Sequence, residues 1–100
     1  MLAFRIILKV EPGRIDKALE MAQKVKEFAP DWKGRIYTPA GFGGPWETII
    51  MEETNESKAE YDAYWEKYNG KPEVTAWWDE WFKEVADSEN FSEVWNLIEV

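Results

Sequence analysis

Arg5 sits in the middle of an apolar run, Leu2 to Val10 (LAFRIILKV), and a guanidinium there must find a carboxylate, water or an anionic ligand. Tyr37, Arg35, Glu47 and Asn96 lie on other strand-like segments and supply polar groups that can meet it. Two readings stand. In one, Arg5 pairs with Glu47 across a sheet or simply faces solvent. In the other it anchors a carboxylate, phenolate or enolate, with Tyr37 or a carboxylate carrying a proton in an enolisation or isomerisation. A second constellation is aromatic: Trp77, Trp78, Trp81 and Phe82 at helical spacing, with Trp65 upstream. Burial alone requires that spacing, yet adjacent Trp77 and Trp78 span a wide arc, so one ring can reach a cavity or a partner chain. The candidate ligand-binding residues are therefore Arg5, Tyr37, Glu47, Asn96, Trp65 and Trp78, and none is assigned a catalytic role.

The chain of 100 residues has no histidine and no cysteine but seven tryptophans. The usual general base, the thiol nucleophile and the commonest transition-metal ligands are missing. Chemistry must come from carboxylates, Arg, Lys, Tyr, Asn or Trp, or from a ligand's own reactivity. The acids Glu52, Glu53, Glu56 and Glu60 straddle a strand end and a helix start, where acids complement the helix dipole. No EF-hand spacing, phosphate-binding glycine loop or hydrolase elbow accompanies them, so no metal and no cofactor is expected.

Net charge is −8 and unevenly spread: residues 1–50 carry +2 and residues 51–100 carry −10. An acidic second half repels phosphate backbones and anionic bilayers, which argues against nucleic-acid and membrane partners. No apolar run is long enough for a bilayer span, and the start of the chain lacks a basic-then-apolar leader pattern. A cytoplasmic setting fits the absence of cysteine. The length suits one domain over residues 1–100, whose ring-rich core packs on itself or shares rings across an interface.

Six elements would position these groups. Alternation predicts a strand over Leu2–Val10, with Leu2, Phe4, Ile6, Leu8 and Val10 on one face and Ala3, Arg5, Ile7 and Lys9 on the other. After Pro12-Gly13, a helix over Arg14–Ala29 carries Ile15, Ala18, Leu19, Ala22, Val25 and Ala29 at helical spacing and stops at Pro30. Lys33–Thr38 reads as an edge strand, followed by a turn over Pro39–Pro45 and a third strand over Trp46–Glu53. That turn carries Phe42 and is either an ordinary turn, a flap over a cavity or an arm for a second subunit. Ser57 and Glu60 match a capping box. The helix they open puts Tyr61, Tyr64, Trp65 and Tyr68 on one stripe. Asn69-Gly70-Lys71-Pro72 breaks it, and Val74, Trp77, Trp78, Trp81, Phe82 and Val85 resume the spacing. Ser92–Val100 reads as the fourth strand.

The order β-α-β-β-α-β is the ferredoxin-like pattern: an α+β fold with a four-stranded antiparallel sheet and both helices on one face, the second broken near 69–72. The other sheet face, apolar with embedded charge, needs a cover, and a second copy of the sheet is the economical one.

The whole chain resembles the dimeric α/β-barrel superfamily. The resemblance rests on Lys9-Val10-Glu11-Pro12-Gly13 at the first strand–helix junction and on the Gly-rich hairpin ending at Trp46. It rests too on the broken helix with Trp65, Trp77 and Trp78, and on the last strand with Trp95. It is most similar to NIPSNAP-like proteins, then to antibiotic-biosynthesis monooxygenase-like domains. The resemblance implies a homodimer and a ligand cavity between sheet and helices or inside the barrel. Haem-degrading relatives use a histidine, which this chain lacks. Two function classes follow. One is a barrel binding a small apolar or aromatic molecule, with or without cofactor-independent oxygenase or isomerase chemistry. The other is a non-catalytic assembly or protein-interaction module.

Overall fold

A single antiparallel sheet organises the chain in the computed structural model, which describes residues 1–43, 45–88 and 90–100. The elements are β1 (Leu2–Lys9), α1 (Ile15–Gln23), α2 (Val25–Phe28), β2 (Arg35–Tyr37), β3 (Thr48–Asn55), α3 (Lys58–Glu66), α4 (Pro72–Glu84) and β4 (Phe91–Asn96). The sheet runs β2-β3-β1-β4. Both β2 and β4 are edges, as Pro39 just past the expected strand Lys33–Thr38 foretold for β2.

Register assigns the faces. Ile6 pairs with Met51 and Leu8 with Ile49, and these four belong to the core that the helices cover. Arg5 pairs with Glu52 and with Glu93, on the opposite, open face. The core joins Leu8, Val10 and Ile49 from the sheet to Ala18, Ala22 and Val25 from the first helical segment and Trp77, Trp81 and Val85 from the last. Trp81 is 1% exposed, and truncating so large a buried ring costs about 3–5 kcal/mol. Of the α4 aromatics, Phe82 stays half-exposed, so the buried stripe is narrower than its spacing suggests.

Three differences from the sequence expectation have a visible physical cause. The first helix is not continuous. At Lys24 the backbone N–H turns back three residues to the Met21 carbonyl (3.1 Å), and Glu27 does the same to Lys24 (2.9 Å). The indole N–H of Trp77 donates to that same Met21 carbonyl at 2.8 Å, and a side chain inserted into the ladder is a known cause of helix breaks. The third strand begins at Thr48, not Trp46, because Glu47 adopts φ 56°, which ends an extended run. Both strands flanking the hairpin are thus shorter at the turn, and its Gly44 lies outside the described residues. The last strand ends at Asn96, not Val100: Asn96 pairs with Leu2, Leu97 N–H donates to the Met1 carbonyl (3.0 Å), and Ile98 and Val100 beyond are exposed.

The capping box forms in altered form. Ser57 Oγ accepts from Glu60 N–H (3.2 Å), while the Glu60 carboxylate accepts from Glu56 N–H (2.9 Å), one residue before the expected position. The break between α3 and α4 follows the sequence closely: Gly70 takes φ +87° and Pro72 opens α4. No helix among the described residues is long and apolar enough to cross a membrane.

Candidate functional site

Adjacent residues of a strand point to opposite faces, so β3 sends Glu52 and Glu53 to different sides of the sheet. Each carboxylate gathers its own set of partners.

On the open face, Glu52 is buried and is the hub. Its Oε2 accepts from Arg5 Nε at 2.5 Å; its Oε1 accepts from the Tyr37 hydroxyl at 3.0 Å and from Arg35 at 3.3 Å. The Arg5 guanidinium lies 5.7 Å from the centre of the Trp95 ring. Burial works against the Glu52 charge, but the Arg5 guanidinium and the Tyr37 hydroxyl outweigh it and hold the carboxyl below the ordinary glutamate range. Arg5, Arg35, Glu52 and Trp95 floor a hollow bordered by Met1, Ala3, Asn96 and Leu97.

On the helix side, β1 and β3 floor a cavity of about 460 Å³ with Phe4, Ile6, Met51 and Glu53. Its walls are Phe28 from α2 and Trp32 from the loop after it, Tyr61 and Trp65 from α3, and Trp77 and Trp78 from α4. Glu53 Oε1 accepts the indole N–H of Trp65 at 2.5 Å and that of Trp32 at 3.4 Å. Phe4 stacks on Tyr61 with ring centres 4.1 Å apart and 8° between planes. Trp32 is held in place by packing on Gly34: a Cβ there would fall 1.9 Å from the ring. Just outside, Asp31 Oδ1 accepts both the Tyr64 (2.8 Å) and Tyr68 (2.7 Å) hydroxyls, tying the loop after α2 to α3.

The six candidates from the sequence therefore divide. Arg5 and Tyr37 meet through Glu52 on the open face. Trp65 and Trp78 line the cavity on the other side. Asn96 borders the hollow, but its register partner is Leu2, and the residue opposite Arg5 on β4 is Glu93. The expected Arg5–Glu47 pair does not form: Glu47 lies before β3 in a left-handed conformation, and the cross-strand partner of Arg5 is Glu52. Parity along the strand carried that signal. Glu47 shares its parity with the core residues Ile49 and Met51, whereas Glu52 shares its own with Thr48 and Ile50. Glu53 and Trp32 were missed as site residues. Glu53 looked like one acid among four, and Trp32 sits in a loop with no periodic neighbours, flagged only by the glycine two residues on.

No protein-family model matches the chain, and no curated protein does. Solved structures do. An uncharacterized NIPSNAP domain protein from Burkholderia xenovorans superposes with TM-score 0.79 at 13% identity, covering 98% of this chain and 95% of that one. A NIPSNAP family protein from Agrobacterium tumefaciens str. C58 gives 0.78 at 11% identity, with 98% and 86% covered. An antibiotic biosynthesis monooxygenase gives 0.68 at 11% identity, with 99% and 100% covered. At such identities the likeness is one of fold: the chain shares the α+β, ferredoxin-like arrangement of NIPSNAP and antibiotic-biosynthesis monooxygenase structures.

Proposed function

We propose that this protein is a single-domain, cytoplasmic binding protein for a small apolar or aromatic molecule, held in the cavity between sheet and helices. The observation that carries the reading is the cavity itself: about 460 Å³, walled by rings from α2, α3, α4 and the loop after α2, and holding a carboxylate at its floor. A volume of this size suits a small ligand, and few polar groups among many apolar ones is the usual make-up of such sites. Any chemistry there, of the cofactor-independent oxygenase or isomerase kind, would use Glu53 as the proton acceptor, since Arg5 and Tyr37 lie beyond the sheet.

The same reading has two copies pairing through their open faces. Tyr37, Phe91 and Trp95 are all 43% or more exposed there, around the Arg5–Glu52 pair. A second reading, assembly without a ligand, draws on Phe42, which is 99% exposed on the hairpin.

A thermal-shift and tryptophan-fluorescence screen of small aromatic compounds tests the binding reading. Hits should raise the melting temperature and should be lost in Val74→Phe, which fills the cavity from α4. A screen without hits, or hits indifferent to Val74→Phe, overturns it. Light scattering over a dilution series from micromolar to nanomolar tests the pairing: a persistent monomer removes it.

A further inference from the structure

We infer that the cavity selects an organic cation, a protonated amine or quaternary ammonium carried on an apolar or aromatic body. The inference rests on the cavity being a ligand site and adds the charge of its ligand.

Three observations converge. The lining holds seven aromatic side chains, whose π-electron faces attract positive charge. Its charged members are Glu53, Asp62 and Glu66, with no Lys or Arg among the described lining residues. Asp62 is answered by Lys58 at 2.6 Å, but no salt bridge among the described residues reaches Glu53. What Glu53 receives are neutral donors: the indoles of Trp65 and Trp32 on Oε1, and the Asn55 amide on Oε2 at 3.4 Å.

An anion at the floor of an apolar cavity and held only by neutral dipoles is incompletely compensated. The two indoles fix the carboxylate, and the distant amide leaves Oε2 the less tightly held oxygen. An ammonium group completes the charge there while its body packs on the rings. A carboxylic acid of the same shape brings a second negative charge into the cavity. On the other side of the sheet the Glu52 carboxylate already has Arg5 and Arg35, so it offers no comparable vacancy for a cation.

The test is a matched probe series on the intact protein: 2-phenylethylamine, 2-phenylethanol and phenylacetate, titrated at neutral pH by tryptophan fluorescence and calorimetry. The amine should bind at least about tenfold more tightly than the alcohol. Phenylacetate should bind more weakly than either. In Glu53→Gln, the amine should lose that advantage while the alcohol holds its affinity. Should that variant fail to fold, the wild-type ranking decides. An amine no better than the alcohol, or an acid that outbinds the amine, overturns the cation inference while leaving the cavity a ligand site. Failure of all three probes, together with an empty outcome in the wider screen, overturns the cavity reading as well.

Discussion

The indole N–H of Trp77 reaches the carbonyl of Met21 at 2.8 Å, where α1 gives way to α2. The bond is buried and ties the last helix to the first. Trp77→Phe keeps a ring in place but removes the donor and some volume. It should cost about 1–3 kcal/mol in chemical denaturation. An unchanged midpoint would show that the bond adds nothing to the packing.

The open-face cluster makes stability depend on acid. Glu52 ionises below the ordinary glutamate range, so the folded chain releases that proton more readily than the unfolded one. Its stabilisation is present above the ordinary range and is lost as pH falls through the lowered value. Glu52→Gln should flatten the acid limb of the stability curve. Arg5→Met should lower stability at neutral pH by only about 1 kcal/mol and also flatten the acid limb, because more than a third of the Arg5 side chain is exposed and Arg35 remains. Urea melts from neutral pH down to below the ordinary glutamate range check both.

Three of the four tyrosines should titrate late. Burial is the main cause for Tyr61 and Tyr64, while for Tyr68 the hydrogen bond to Asp31 leads. Asp31→Asn should therefore bring ionisation down to lower pH for Tyr68 most, for Tyr64 less and for Tyr61 not at all. An ultraviolet titration of single Tyr→Phe variants in the Asp31→Asn background reads this order. Because these tyrosines are held above their ordinary value, the stability they contribute is full below it and fades as pH rises through the raised values.

Gly34→Ala tests the wall of the cavity. The new methyl would overlap the Trp32 ring and lie 2.6 Å from the Glu52 carbonyl. Either the ring or β3 must move, at about 1–3 kcal/mol. Displacement of Trp32 takes one indole away from Glu53, so cavity ligands should weaken along with the fold. Thermal melts and ligand titrations on the same sample separate the two effects.

The architecture was legible because its signals are local and redundant. The alternation of Leu2–Val10, the alanine-rich spacing of the first helix, and Gly70-Lys71-Pro72 each name an element without reference to the rest. The breaks were not legible where the cause is tertiary. Lys24 has no glycine or proline beside it; the indole that interrupts the ladder comes from Trp77, distant in sequence. The site was half legible for the same reason. Trp65 and Trp78 sit on periodic stripes, whereas the partner of Arg5 depends on strand register, and composition does not announce the left-handed Glu47 that ends the extended run before β3.

Glu52 and Glu53 are joined by one peptide bond yet belong to separate rooms. Even-numbered residues of β3 speak to the open face and odd-numbered ones to the cavity. The strand is a partition wall with independent fittings on each side. An engineer can alter the open face through Glu52 or Thr54 without repainting the cavity, and the cavity through Met51 or Glu53 without loosening the outer surface. A single inserted residue in β3 would exchange the two sets, giving the cavity the carboxylate that belongs with Arg5.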